Sequence, residues 1–319
     1  MRKIGILTSG GDGPGMNAAI RSIVRSALFR GLQVAGIMRG YQGLIDGDVV
    51  DLNHRSVSNI INRGGTILKT ARCEEFKTLE GQQKAVEVLK KYQIDALVVI
   101  GGDGSYRGAH ELFERFGVPT IGLPGTIDND IYGTDQTIGC QTAINTAIDS
   151  IDKIRDTAHS MERIFVVEVM GNRSGYIALQ VAVAAGAEEV IVPEKNFDYE
   201  TLYQNILEGN RKGKVSWIII VSEGAAKATV VANQITEKTG LETRFVILGH
   251  VQRGGSPSGH DRILATRLGS SAVDLLLKGQ YGKAVGEIRD ELNIIDLKEA
   301  KKRPNSQIEE YCELLRKLR

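Results

Sequence analysis

ALVVIGGDGS, residues Ala96–Ser105, sets an unbroken apolar run directly before a glycine cluster that carries one carboxylate. A short apolar run closed by glycine and followed by the helically spaced HELFERFG (residues 110–117) reads as strand, loop, helix, with the strand buried on both faces. The same rhythm runs outward in both directions. Upstream, Lys3–Thr8 leads into SGGDGPGMN (Ser9–Asn17) and then a segment with Ile20, Ile23, Val24, Ala27 and Leu28 at helical spacing. LQVAGIMRG (residues 32–40) and the helical QQKAVEVLKKY (residues 82–92) follow. Downstream come VPTIGLPGTIDND (residues 118–130) and a long amphipathic helix with Ile138, Ile144, Ile148, Ile151 and Ile154 on one stripe, a candidate domain crossover.

A second series then begins. It runs through RIFVVEVMG (163–171), YIALQVAVAAG (176–186), EEVIVPE (188–194), LYQNILEG (202–209), WIIIVSEG (217–224), ATVVANQITEKTG (228–240) and FVILGHVQRGG (245–255), enough for a second sheet. Alternation of strands and helices predicts an α/β fold with two doubly wound domains and largely parallel sheets. DRILATRLGSSAVDLLLKG (261–279) and QIEEYCELLRKLR (307–319) read as helices whose domain the pattern leaves open.

Composition agrees with this reading. The 319 residues exceed what one hydrophobic core usually holds, and 42% hydrophobic with 25% charged residues is ordinary for a globular chain. A net charge of +1 with both signs interspersed points to neither nucleic acid nor membrane. The N-terminal apolar run is too short for a signal peptide and no stretch approaches a spanning helix, so the expected location is cytoplasmic. Cys73, Cys140 and Cys312 lie far apart without metal-ligand spacing and read as free thiols.

In open parallel sheets ligands bind beyond the carboxyl ends of strands, where the unusual residues of this chain sit. The glycines of SGGDGPGMN let backbone amides approach an anion at the start of a helix, although a tight turn alone would need them too. GGDGS (Gly101–Ser105) adds a carboxylate able to hold magnesium through water while neighbouring amides face phosphates. PGTIDND (Pro124–Asp130) offers a general base beside a second acid. One such loop is readily an Asx-turn; three in series fit phosphoryl transfer, where positioning and charge neutralisation dominate. For phosphate-gripping cations the candidates are Arg72 in TARCEEF, Arg163 near a strand end of the second half, and Arg244, His250 and Arg253 flanking the strand in TRFVILGHVQRGG.

Together and in this order, SGGDGPGMN, TARCEEF, GGDGS, PGTIDND, EVMG and LGHVQRGG resemble the bacterial ATP-dependent 6-phosphofructokinases over nearly the whole chain. The resemblance implies a homotetramer with the active site in the interdomain cleft and an effector site at a subunit interface. It implies an ATP-binding domain of residues 1–138 plus 256–304 and a fructose 6-phosphate-binding domain of residues 139–255 plus 305–319. Asp128 would be the base on the sugar 1-hydroxyl, supported by Thr126, Asp130 and Arg72, with Asp103 holding Mg2+. ATP would contact Gly11, Tyr41, Arg72, Cys73, Gly102, Asp103, Gly104, Ser105 and Gly108. Fructose 6-phosphate would contact Thr126, Ile127, Asp128, Met170, Gly171, Asn172, Glu223, His250, Val251, Gln252 and Arg253, with Arg163 and Arg244 supplied by a neighbouring subunit.

A branch of the family that uses pyrophosphate resembles GGDDT and PKTIDND at two of these loops. Gly104 and Gly125 stand here instead, leaving room for a nucleotide α-phosphate that an Asp would repel, so ATP is the expected donor. An ADP or phosphoenolpyruvate effector would contact Arg21, Ser22, Ile23, Val24, Arg25, His54, Asn59, Arg155, Gly186, Ala187, Glu188, Lys212, Lys214, Val215 and Ser216. Of these, His54 and Lys212 replace common arginines and Asn59 a common Asp, while Asn172 replaces an Arg beside the substrate. Lysine forfeits bidentate phosphate binding, so weakened allosteric control is expected. The alternatives are a pyrophosphate-dependent enzyme and a non-catalytic sugar-phosphate or nucleotide sensor on the same fold.

Overall fold

The computed structural model describes residues 1–302 and 308–318. In chain order the elements are β1 (Lys3–Ser9), α1 (Met16–Phe29), β2 (Gln33–Ile37), α2 (Gly40–Asp46), β3 (Val49–Leu52), α3 (Leu79–Lys91), β4 (Ala96–Gly101), α4 (Asp103–Phe116) and β5 (Thr120–Pro124). There follow α5 (Cys140–Ser160), β6 (Ile164–Val169), α6 (Tyr176–Ala184), β7 (Glu189–Ile191), α7 (Tyr199–Arg211), β8 (Trp217–Ser222), α8 (Ala228–Thr239) and β9 (Thr243–Ile247). The chain continues through α9 (Gly259–Leu277), β10 (Lys283–Ile288), β11 (Glu291–Asp296) and α10 (Ile308–Leu318).

The chain divides into two compact units. One comprises Met1–Ile127, Ile131–Thr142 and the described residues from Arg253 to Lys302; the other comprises Asp128–Asp130, Ala143–Gln252 and α10. The expected division at 304/305 lies outside the described residues. The first unit holds a seven-stranded sheet in the order β11-β10-β5-β4-β1-β2-β3. Its inner strands are parallel and largely buried, β4 and β5 from end to end, because helices cover both faces. The second unit holds a four-stranded parallel sheet in the order β7-β8-β6-β9.

The α/β fold with largely parallel sheets is therefore present, with two departures at the edges. β3 pairs antiparallel to β2, and β11 pairs antiparallel to β10. Both are half-exposed, so neither carries the apolar run that marks an inner strand. The helix expected around Ile138 starts at Cys140, because the Ile138 N–H donates to the Pro124 carbonyl at 2.8 Å and the residue bridges Gly125. The two helices left open by pattern belong to different units: α9 packs on α1 in the first, and α10 lies against α6 and β7 in the second. Ser22 on α1 donates its hydroxyl to the Thr266 carbonyl of α9 at 2.6 Å. Among the described residues no helix is long and apolar enough to cross a membrane.

Candidate active site

β1 and β4 lie side by side at the point where the chain switches from one half of the larger sheet to the other, and Ser9 and Gly101 are register partners at their carboxyl ends. Open sheets of this kind form crevices there. The first loop rises from Ser9 and reaches α1 through Gly15, whose φ of +110° excludes a side chain of ordinary preference. Arg253 lies across it and donates from Nη1 to the Asp12 carbonyl at 2.8 Å. The second loop has no excursion. Gly102 is the N-cap of α4, and Asp103, Gly104 and Ser105 form its first turn, where free N–H groups and the helix dipole attract anions.

Asp103 is mostly buried, with Arg107 at 3.5 Å one turn on. Ser105 is buried and its carbonyl accepts the Tyr41 hydroxyl at 2.6 Å. Tyr41 stacks on Phe76 with ring centroids 4.0 Å apart, and a Cβ on Gly108 would meet the Tyr41 ring at 2.7 Å. Gly108 is thus the gap through which an aromatic pair braces α4. Burial holds the Tyr41 phenol far above its ordinary pKa, so it stays a donor. Tyr41 presents its hydroxyl to the loop from below, and Arg72 is exposed on the segment before Phe76. Cys73 is a half-buried free thiol, its pKa pushed up by burial.

A third loop leaves β5. Gly125 N–H donates to the Gly101 carbonyl at 3.1 Å, and a Cβ there would meet Ile100 Cγ2 at 2.7 Å and the Gly101 nitrogen at 3.2 Å. A side chain at Gly125 would have to displace Ile100 on β4, whereas a Cβ on Gly104 would meet only the Arg107 guanidinium, at 3.9 Å. Thr126 is half-buried; Ile127, Asp128 and Asp130 are buried. Asn129 between the two acids has φ +48°, a left-handed conformation that Asn tolerates better than most residues.

In the second unit β6 and β8 end on the register pair Val169 and Ser222, and the loops beyond them press together. The Asn172 N–H donates to Glu223 Oε1 at 2.9 Å and the Met170 N–H to Gln252 Oε1 at 3.3 Å. Buried Gln252 donates in turn to the Gly249 carbonyl at 3.0 Å. Met170, Gly171, Asn172, Glu223 and Gln252 form one assembly, with His250 and Val251 exposed on the same turn. Asn172 has φ +54°, a left-handed conformation that Asn adopts more readily than most residues.

Arg163 and Arg244 lie elsewhere. Arg163 precedes β6 and Arg244 is the partner of Phe165 in β9, at the amino end of a strand that spans roughly 20 Å. One carboxylate, Glu242, pairs with both, at 2.9 Å from Arg163. Within one chain the structure does not bring this pair to the Met170 loop.

The expected effector residues divide between the units. In the first, Ser22, Ile23 and Val24 are buried inside α1, which leaves Arg21 and Arg25 of that run to reach outward, and His54 and Asn59 are exposed. Burial and the neighbouring Arg25 lower the pKa of the Arg21 guanidinium, a sign of two cations held close. In the second, Arg155 donates from Nη2 to the Ala185 and Gly186 carbonyls, both at 2.7 Å. Buried Glu188 takes Lys214 at 3.1 Å and accepts the Ile218 N–H at 2.6 Å. Ala187 is buried, Val215 and Ser216 are half-buried, and Lys212 pairs with Glu208 on its own helix face.

Sequence reasoning missed three carboxylates: Glu242; Glu168, which accepts the Ala228 N–H at the start of α8 at 2.8 Å; and fully buried Asp261. Only Asp261 left a readable trace, since Ser258-Gly259-His260-Asp261 has the spacing of a capping box.

The phosphofructokinase family profile matches residues 3–276. An ATP-dependent 6-phosphofructokinase of Shouchella clausii is 55% identical over 318 residues, 100% of this chain and 99% of the relative. That of Halalkalibacterium halodurans is 56% identical over 306 residues, 96% of each. The phosphofructokinase of Pichia pastoris, in a structure described as the T-state, is 35% identical with a TM-score of 0.88, covering 100% of this chain and 38% of that longer one. The chain belongs to the phosphofructokinase family.

Proposed function

We propose that the chain transfers the γ-phosphoryl group of MgATP to the 1-hydroxyl of fructose 6-phosphate, giving fructose 1,6-bisphosphate and ADP, as a glycolytic 6-phosphofructokinase of the cytoplasm. The observation that carries this reading is the pair of GGDG loops on neighbouring strands β1 and β4, one of which opens a helix with Asp103 in its first turn. In this reading the first unit binds ATP and the second binds the sugar. Amides of the α4 first turn bind the nucleotide phosphates and Ser105, braced by Tyr41, fixes their height. Asp128 accepts the proton of the 1-hydroxyl as that oxygen bonds to the γ-phosphorus and the bond to ADP breaks. Arg72 neutralises charge on the transferred group. Met170, Glu223 and His250 hold the sugar and Arg253 its phosphate.

Asp103 fits Mg2+ as one hard oxygen ligand to an ion that keeps waters and phosphate oxygens for the rest of its shell. Bound there, the ion would neutralise the β- and γ-phosphates. No cluster of three or more His, Cys, Asp or Glu forms among the described residues, which suits an ion that arrives with its nucleotide.

The placement of Arg163 and Arg244 far along β6 and β9 from the Met170 loop supports their contribution to a second copy, and hence the tetramer. At the effector residues, the commitment of Arg155, Lys212 and Lys214 to carbonyls and carboxylates of the same chain supports weak binding of ADP or phosphoenolpyruvate. Titrating fructose 6-phosphate with and without each effector is expected to move half-saturation little; a large shift refutes this part.

A coupled assay supplied with ATP, with pyrophosphate or with neither tests the reaction itself. ATP should support turnover that EDTA abolishes. Asp128→Ser should lower kcat by about 100- to 10,000-fold with sugar binding retained. Because a side chain at Gly125 would crowd Ile100 and Met16, the clean donor test is Gly104→Asp alone, which should raise the KM for ATP while leaving the fold intact.

A further inference from the structure

We infer that Asp261, resting on the reaction proposed above, is a positioning residue: it anchors the strap Ile138–Thr142 that registers the base-bearing loop against the first glycine loop. Asp261 is fully buried at the start of α9, away from any surface a substrate could reach. One carboxylate oxygen accepts the Gly139 N–H at 2.8 Å. The other accepts the Thr142 N–H at 2.8 Å, the Thr142 hydroxyl and the Ser258 hydroxyl at 3.1 Å. The network closes on itself, since the Ser258 N–H donates to Thr142 Oγ1 at 2.9 Å.

A cap for α9 alone would use Ser258, whose hydroxyl already accepts the Asp261 N–H at 3.1 Å. The carboxylate reaches instead across the chain to the strap. On one side of the strap, Ile138 donates to the Pro124 carbonyl and bridges Gly125, three residues before Asp128. On the other, a Cβ on Gly139 would stand 3.0 Å from the Pro14 carbonyl, and one on Gly15 would stand 2.7 Å from Ile138 Cγ2 and 3.5 Å from Asp261 Cβ. Ile127 closes the stack, at 3.4 Å from the Gly139 Cβ position and 3.6 Å from that of Gly13. The strap is thus packed between the two loops with no slack, and Asp261 is the group that sets its height. A shift of the strap moves the backbone from which Asp128 projects.

The experiment compares Asp261→Asn, Thr142→Val, Thr142→Ser and the Asp261→Asn/Thr142→Val pair with the parent protein, well below each melting temperature and per folded molecule. Asp261→Asn keeps the shape, but whichever way its amide is turned the NH2 opposes a backbone N–H, that of Gly139 or that of Thr142. It should lower kcat by about tenfold or more, since small misplacements cost this much, and leave the KM for fructose 6-phosphate within about twofold. Thr142→Val should lower kcat several-fold, Thr142→Ser should restore it, and the double variant should be no worse than Asp261→Asn because both act through one network. A fall in melting temperature with kcat and KM unchanged assigns Asp261 to helix capping and overturns the inference. If Asp261→Asn does not fold, the Thr142→Val and Thr142→Ser pair decides it by the same criterion. If the parent turns over neither ATP nor pyrophosphate, the reaction reading fails. The strap is then judged by hydrogen exchange, where Thr142→Val must speed exchange at residues 10–16 and 124–127; unchanged exchange overturns it.

Discussion

The tetrapeptide Gly-Gly-Asp-Gly occurs twice in this chain, at Gly10–Gly13 and Gly101–Gly104, after adjacent parallel strands, and takes two different forms. At the first, the chain wanders through Pro14 and Gly15 before α1 begins, and the Asp12 backbone carbonyl is what the fold uses, held by Arg253. At the second, the same letters enter a helix at once, and the Asp103 carboxylate becomes part of its first turn. The difference comes from the next two residues of each loop. Pro-Gly delays the helix and Ser-Tyr allows it, with Tyr106 buried and Tyr41 tied to the Ser105 carbonyl. A motif of four residues therefore specifies a bend near a strand end, and its neighbours decide whether the chain leaves it as a loop or as a helix.

The strongest way to break this comparison is to neutralise both acids separately. Asp103→Asn should lower kcat by about 100-fold and raise the Mg2+ concentration needed, because a metal site supplies several kcal/mol of charge stabilisation. Asp12→Asn should change kcat only a few-fold, and equal losses in steady-state assays would erase the distinction. Next, Arg253→Ala should speed hydrogen exchange at Gly10–Gly13 by about tenfold, in line with ~1.5 kcal/mol for a bond from a charged donor, and leave Gly102–Ser105 unchanged. Tyr41→Phe acts on the other loop. Loss of one bond to the Ser105 carbonyl should cost about 1 kcal/mol in denaturant unfolding, with a modest rise in the KM for ATP.

The smallest effect concerns the far ends of the same two strands. Asp95, just before β4, accepts the Arg2 and Lys3 N–H groups beside β1. Burial raises its pKa, but those two bonds and the nearby positive charges outweigh it, leaving the carboxyl below the ordinary range. A depressed carboxylate contributes stability that is fully present above its unfolded pKa of about 4 and lost as pH falls through the lower folded value. Asp95→Asn should therefore lower stability slightly at neutral pH and flatten the acid side of the profile, the two proteins converging below the folded pKa of Asp95.

Most inner strands, most of the helices between them and the loops at strand ends were legible in the sequence because each has a local cause; the inner strand β10 and the short helix α2 were not read. An apolar run such as Ile164–Val169 is buried on both faces, and Gly, Asp and Asn stand where the backbone turns. The antiparallel edges were not legible. Val49–Leu52 and Glu291–Asp296 are short or half-exposed, so no apolar run announces them, although each simply folds back on the strand before it, Gln33–Ile37 and Lys283–Ile288. The reach of Asp261 was hidden for a related reason, since a carboxylate in a buried network looks like any surface acid until its donors are placed, and Glu242 is an exposed acid whose two arginines come together only in the fold. The buried side chains of Ile23 and Val24 teach the converse. A resemblance can point to a run of residues, but helical geometry admits only Arg21 and Arg25 of that run to the surface.

Lys214, one of the cations held by Glu188, also rests its ammonium 4.9 Å from the ring centre of Trp217. This is the single tryptophan of the chain, buried at the start of β8. A positive charge over an indole alters its excited state, so the protein carries a built-in optical gauge of that cluster. An anion that draws Lys214 away from the ring will register as a change in emission intensity or colour, without a label and without turnover, and the size of that change measures how firmly Glu188 keeps its partner.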